Sequence, residues 1–127
     1  MNLSDRIRES ESIFQHWKVL YQPEQIDQLR EASYRKPVII FKHSTRCGIS
    51  AHAKFRLESA WDFSADVLDF YYLDLIAYRP ISNQIAEDFG ITHQSPQIIL
   101  LRNGKAVFDT SHHQISVPVI QEVLENS

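Results

Sequence analysis

Cysteine is almost missing from this chain: its 127 residues contain one, Cys47. A single thiol cannot close an intrachain disulfide, so any disulfide that Cys47 forms joins it to another molecule. Glycine and proline are scarce too, at three and five residues, which argues against long disordered or low-complexity stretches. Basic residues do not dominate. Thirteen Lys and Arg against 16 Asp and Glu leave a formal net charge of −3, with no run dense enough to neutralise a phosphate backbone, so nucleic acid is not an expected partner. No apolar run is long enough to span a bilayer, and the opening MNLSDRIRESES is charged from its fifth residue and lacks the apolar stretch of a secretory signal. One thiol and no export signal predict a cytoplasmic protein without a membrane partner.

What is present fits one domain over residues 1–127, with a core at roughly 17–125 and an N-terminal extension, 1–16. HWKVLYQ predicts a short strand, and Pro23-Glu24 opens a helix carrying Ile26 and Leu29 on one face. PVIIF is a continuous apolar, β-branched run, the pattern of a strand buried on both faces of a sheet. After Cys47 the apolar residues fit two periods. Richness in Ala, Lys, Arg, Glu and Leu favours a helix, with Ile49, Ala53, Leu57, Ala60 and Trp61 facing inward. DVLDFYYLDL predicts another strand. RPISNQIAEDFG predicts a helix with Ile81, Ile85, Ala86 and Phe89 inward and Gly90 as its stop. QIILL, the turn RNGK and AVFD form a hairpin, and Ser116 and Pro118 open a last helix.

Cys47 then lies where a strand gives way to a helix. A lone cysteine is open to three readings: a small buried hydrophobe, a metal ligand or a nucleophile. At a first helical turn, unpaired N–H groups and the positive end of the helix dipole favour the thiolate, the reactive form. Neighbouring Arg46, with Lys42 or His43, would add favourable charge. For zinc, Cys47 with His43 or His52 lacks a C-x-x-C pair or a carboxylate to complete a tetrahedral set, so no metal is expected.

The element order, a cysteine closing VIIFKHSTRC and an X-Pro just before QIILLRNGKAVF resemble the thioredoxin fold, an α/β architecture with a central mixed sheet flanked by helices. Pro96 lies 49 positions after Cys47, close to the separation at which that fold sets its cis-proline beside the active cysteine. More narrowly, FKHSTRCGIS, LIAYRPISNQIAEDFGI and SPQIILLRNGKAVF followed by Ser-His-His resemble the monothiol bacilliredoxin family.

That resemblance implies a thiol–disulfide oxidoreductase that removes bacillithiol from client protein mixed disulfides. Cys47 is then the nucleophile, bacillithiol the thiol co-substrate, and no cofactor is bound. Thr45, Arg46, Gly48, Ser50, Ser95, Pro96, His112 and His113 are the expected substrate-binding residues. Ser50 stands where dithiol relatives carry a resolving cysteine; it either donates a hydrogen bond to the Cys47 sulfur or simply caps the helix. A cis Ser95-Pro96 bond would turn the Ser95 backbone toward an extended client segment, and His112 or His113 would meet the acidic groups of bacillithiol. Two other functions share these features: a monothiol glutaredoxin-like iron–sulfur carrier, and a thioredoxin-fold binding module whose cysteine is only structural.

Overall fold

The computed structural model describes residues 17–44, 47–64 and 66–126; the expected N-terminal extension lies outside them. The run marked as continuously apolar organises the rest. Strand β2 (Val38–His43) is buried at every position, with parallel β3 (Asp69–Asp74) on one side and antiparallel β4 (Gln97–Arg102) on the other. Short β1 (Trp17–Val19) pairs with β3, and β5 (Lys105–Ser111) with β4, giving the order β1-β3-β2-β4-β5. β2 runs two residues past the apolar stretch, taking Lys42 and His43 inside at 0% and 4% exposure.

Helices cover both faces of this mixed sheet, as the resemblance implies. Helices α1 (Glu24–Ala32) and α3 (Arg79–Phe89) press Leu29 and Ile85 onto Val38 and Ile40. Helices α2 (Gly48–Ala60) and α4 (Val117–Asn126) press Leu57 and Ile120 onto Ile39 and Phe41. Alternate residues of β2 thus enter opposite cores, the period of two that a strand imposes. Each large side chain so buried contributes about 1.5–3 kcal/mol.

The element ends have local causes. Gly90 ends α3 in the left-handed region at φ 65°, its N–H donating to the Ala86 carbonyl. The Ser116 hydroxyl accepts the Val119 N–H at 3.3 Å and caps α4. In the β4–β5 turn both Asn103 (φ 54°) and Gly104 (φ 79°) have positive φ, the geometry a two-residue hairpin requires. The turn is docked on the end of α1: Asn103 N–H donates to the Ser33 carbonyl at 2.9 Å and Gly104 N–H to the Ser33 hydroxyl at 2.8 Å.

One expectation is corrected. The inward face of α2 is Ser50, Ala53 and Leu57, while Ile49 is 48% exposed and Ala60 is also exposed. Hydrophobic spacing alone favours Ile49. Ala53 and Leu57 face inward as expected, but the inward residue of the first turn is Ser50, whose hydroxyl accepts the N–H of buried Ser44.

Candidate active site around Cys47

Between the end of β2 and the start of α2, the Cys47 N–H donates to the Ser44 carbonyl at 3.2 Å. Cys47 is extended (φ −109°, ψ 123°), and its carbonyl accepts the Ala51 N–H at 3.0 Å, so it is the N-cap of α2. Its side chain is half-buried.

The surroundings favour thiolate. Backbone N–H groups hold the thiol below its usual range, Ser50 most strongly and Ile49 next; partial burial opposes them, and the Ser50 hydroxyl adds a smaller pull. The sulfur closes no standard capping hydrogen bond, so the stabilisation is that of aligned N–H dipoles near a helix start. Ser50 is fully buried and its oxygen accepts the Ser44 N–H at 3.3 Å, which leaves its own proton for the sulfur. A free hydroxyl proton is what the donor role expected of Ser50 requires. Gly48 is exposed, and a Cβ built there meets no atom within 4 Å, so the approach beside the sulfur is open. Thr45 and Arg46 lie outside the described residues.

The Ser95-Pro96 bond is cis, as expected. In the antiparallel register Lys42 pairs with Gln97, so Pro96 falls opposite His43 at the end of β2 that leads into Cys47. The Pro96 carbonyl accepts the His112 N–H at 3.2 Å. Arg56 on α2 donates to the carbonyls of His112 and Ile115 at 2.9 and 3.1 Å, tying the short 3-10 helix His112–Gln114 to the helix that begins at Cys47. The structure thus joins His112 to the site through its backbone, at φ 57°, while His113 is exposed. Among the described residues the Ser95 hydroxyl is buried without a partner, and no backbone hydrogen bond outside the helices and strands engages Ser95.

Two residues expected to lend charge to Cys47 do something else. Lys42 points into the α1–α3 face, away from α2; its ammonium donates to the Ser82 carbonyl at 3.1 Å and lies 3.4 Å from His93 Nδ1. Burial pushes its pKa down to about 8. His43 is on the α2 face, with Nδ1 2.8 Å from the Tyr72 hydroxyl. Burial first and the Lys54 charge second lower its pKa, so it is neutral near pH 7. Gln97, fully buried, holds the proline loop from behind, accepting the Gln94 N–H at 3.4 Å and donating to the Thr92 carbonyl at 2.9 Å. Arg56 and Gln97 were missed as supporting residues, and nothing in the local sequence marks either; Lys42, directly after four apolar residues, was expected in a different role. Among the described residues no three His, Cys, Asp or Glu side chains converge as a metal site would require, and no helix is long and apolar enough to cross a membrane.

A comparison with known families matches residues 18–120 to monothiol bacilliredoxin BrxC. The chain belongs to the monothiol bacilliredoxin family. A solved structure described as a candidate oxidoreductase with a thioredoxin fold is 30% identical to this bacilliredoxin, with a TM-score of 0.74, covering 89% of this chain and 96% of its own. Thioredoxin from Malassezia sympodialis is 22% identical at TM-score 0.65, covering 86% and 88% of the two chains. Fasciola hepatica thioredoxin is 15% identical at 0.66, covering 86% and 97%. At those identities the two thioredoxins show the fold alone. This bacilliredoxin has the thioredoxin fold, and its family and that fold support redox activity in general.

Proposed function

We propose that this bacilliredoxin removes bacillithiol from client proteins, with Cys47 as its nucleophile. The observation that carries this reading is the pairing of Cys47, favoured as thiolate at the start of α2, with a buried Ser50 hydroxyl in place of a second thiol. In the first step the Cys47 thiolate attacks the bacillithiol sulfur of a client mixed disulfide. A Cys47–bacillithiol disulfide forms as the client S–S bond breaks, and the client cysteine leaves as thiolate. Ser50 cannot resolve that disulfide. A second bacillithiol thiolate attacks the bacillithiol sulfur, releasing bacillithiol disulfide and regenerating Cys47 thiolate, so electrons balance with bacillithiol as reductant.

Ser95 would dock the client. An extended client segment linked near Cys47 finds backbone groups at Ser95 that no turn or loop hydrogen bond occupies. Exposed Gly48 leaves room for that approach, and His112 and His113 follow the hairpin on the Pro96 side. The test is competition: the reduced protein is mixed with equal amounts of one client, half bacillithiolated and half glutathionylated, and the Cys47 adduct is weighed. A bacillithiol adduct supports the reading. An adduct mainly of glutathione contradicts it.

A further inference from the structure

Helical spacing puts Ala51, Lys54, Phe55 and Glu58 on the side of α2 that starts at Cys47. Those four side chains, with His43 and Tyr72 from the sheet, line a groove of about 400 Å³. It begins one helical turn from the sulfur, since Ala51 is the residue whose N–H bonds the Cys47 carbonyl. Its volume is in the range of small-molecule sites, about 300–1,000 Å³.

The lining is both charged and apolar. Lys54 and Glu58 form an ion pair along the helix, 36% and 21% exposed, and the charges of Lys54, Asp74 and Glu58 all act on His43. The Phe55 ring is 68% exposed. His43 is almost wholly buried; Tyr72 occupies its Nδ1, and its Nε2 has no hydrogen-bond partner among the described residues. A buried polar atom left unpaired is the mark of a hydrogen bond still to be made.

We propose that this groove is a second binding site that seats the non-thiol body of the small thiol joined to Cys47, a molecule bearing both amine and carboxylate groups. The inference rests on the bacillithiol reading and specifies where that thiol lies. A purely anionic ligand would meet Glu58, and a purely cationic one would meet Lys54. A ligand of both signs exchanges the internal pair for two external ones, carboxylate on Lys54 and amine on Glu58, with its apolar atoms against Phe55. The client polypeptide docks elsewhere, at Ser95.

The test compares two disulfides of different bodies, bacillithiol disulfide and neutral 4,4′-dithiodipyridine. With either, the Cys47 thiolate attacks one sulfur, the new S–S bond forms as the old one breaks, and the other half leaves as thiolate. The rate constants give a selectivity ratio for wild type, Lys54→Gln, Lys54→Arg, Glu58→Gln and Phe55→Ser, each with its melting temperature. The ratio should fall about fivefold or more in Lys54→Gln, Glu58→Gln and Phe55→Ser and recover in Lys54→Arg, the range a partly exposed ion pair supports. Phe55→Ser changes an exposed ring and keeps the test valid if a charge variant folds poorly. A wild-type ratio in all four, with normal bacillithiol adduct, overturns the groove and leaves the bacillithiol reading standing. Equal slowing with both reagents also overturns it, because the effect then acts on Cys47 itself. So does slower transfer from protein clients at an unchanged ratio, which would make the groove a client site. A wild-type protein that forms no bacillithiol adduct removes both readings.

Discussion

The N–H of Ser44, just after β2, donates to the hydroxyl oxygen of Ser50, in the first turn of α2, at 3.3 Å. Accepting this bond leaves the Ser50 proton free to be donated, and a serine, not Ile49, faces the core at the start of α2. Ser50→Ala therefore removes both a donor to the thiolate and the acceptor of a buried N–H. Its Cys47 pKa should rise, so alkylation by iodoacetamide near pH 7 slows by about threefold and its pH midpoint moves up, while stability falls by about 1–3 kcal/mol. An unshifted midpoint would show that the hydroxyl does not reach the sulfur.

Ser50→Cys should yield an intramolecular disulfide, because positions 47 and 50 stand three apart at the first turn of α2, where side chains are neighbours. Intact mass under oxidised bacillithiol should show less adduct than wild type and a loss of two hydrogens. Equal adduct in both proteins would mean that the two side chains do not meet.

Arg56 ties the 3-10 helix beside Pro96 to α2 through two carbonyls. Arg56→Met should cost about 1.5–3 kcal/mol in urea unfolding, the range for hydrogen bonds from a charged donor. Transfer from protein clients should fall more than iodoacetamide alkylation of Cys47, since only docking needs that loop in place. Equal losses in both assays would deny Arg56 a positioning role.

Lys42 predicts a pH dependence of stability with a definite sign. Its folded pKa, about 8, lies below its unfolded value of 10.5. Between those pH values the unfolded chain binds the extra proton, so this group's contribution to stability rises with pH, by on the order of 3 kcal/mol in total. Below pH 8 both states are protonated and the full burial penalty remains. The stability difference between wild type and Lys42→Met, measured by urea unfolding, should thus shift in favour of wild type from pH 8 to pH 10. A flat difference would mean that Lys42 titrates normally.

Most of the architecture was legible because its signals are local. Asn103-Gly104 demands positive φ, Gly90 stops a helix, and PVIIF declares burial on both faces; all three hold. Cys47 at a strand-to-helix junction and the cis bond at Pro96 followed from the same element order with the family resemblance added. What stayed hidden depends on partners outside the element concerned. Inward Ser50 is paired with an N–H on Ser44, just after β2, and buried Lys42 with a carbonyl 40 residues away on α3. His112 follows the hairpin and meets Pro96 through its backbone N–H, a contact that serves any residue type and leaves no trace in the sequence.

Cys47→Ser separates chemistry from structure. Serine is a preferred N-cap, whereas the Cys47 sulfur closes no capping bond, so the variant should be as stable as wild type or more stable by up to about 1 kcal/mol, with transfer lost. A variant that unfolds would favour a structural role for the thiol.

The most direct measurement is a single turnover of bacillithiolated client with excess reduced protein and no free bacillithiol, quenched in acid and followed by intact mass. Loss of bacillithiol from the client and its gain on Cys47 should proceed with one rate constant and one-to-one stoichiometry, with no adduct and no client turnover for Cys47→Ser. Client turnover by Cys47→Ser, or turnover by wild type without a Cys47 adduct, would contradict the account.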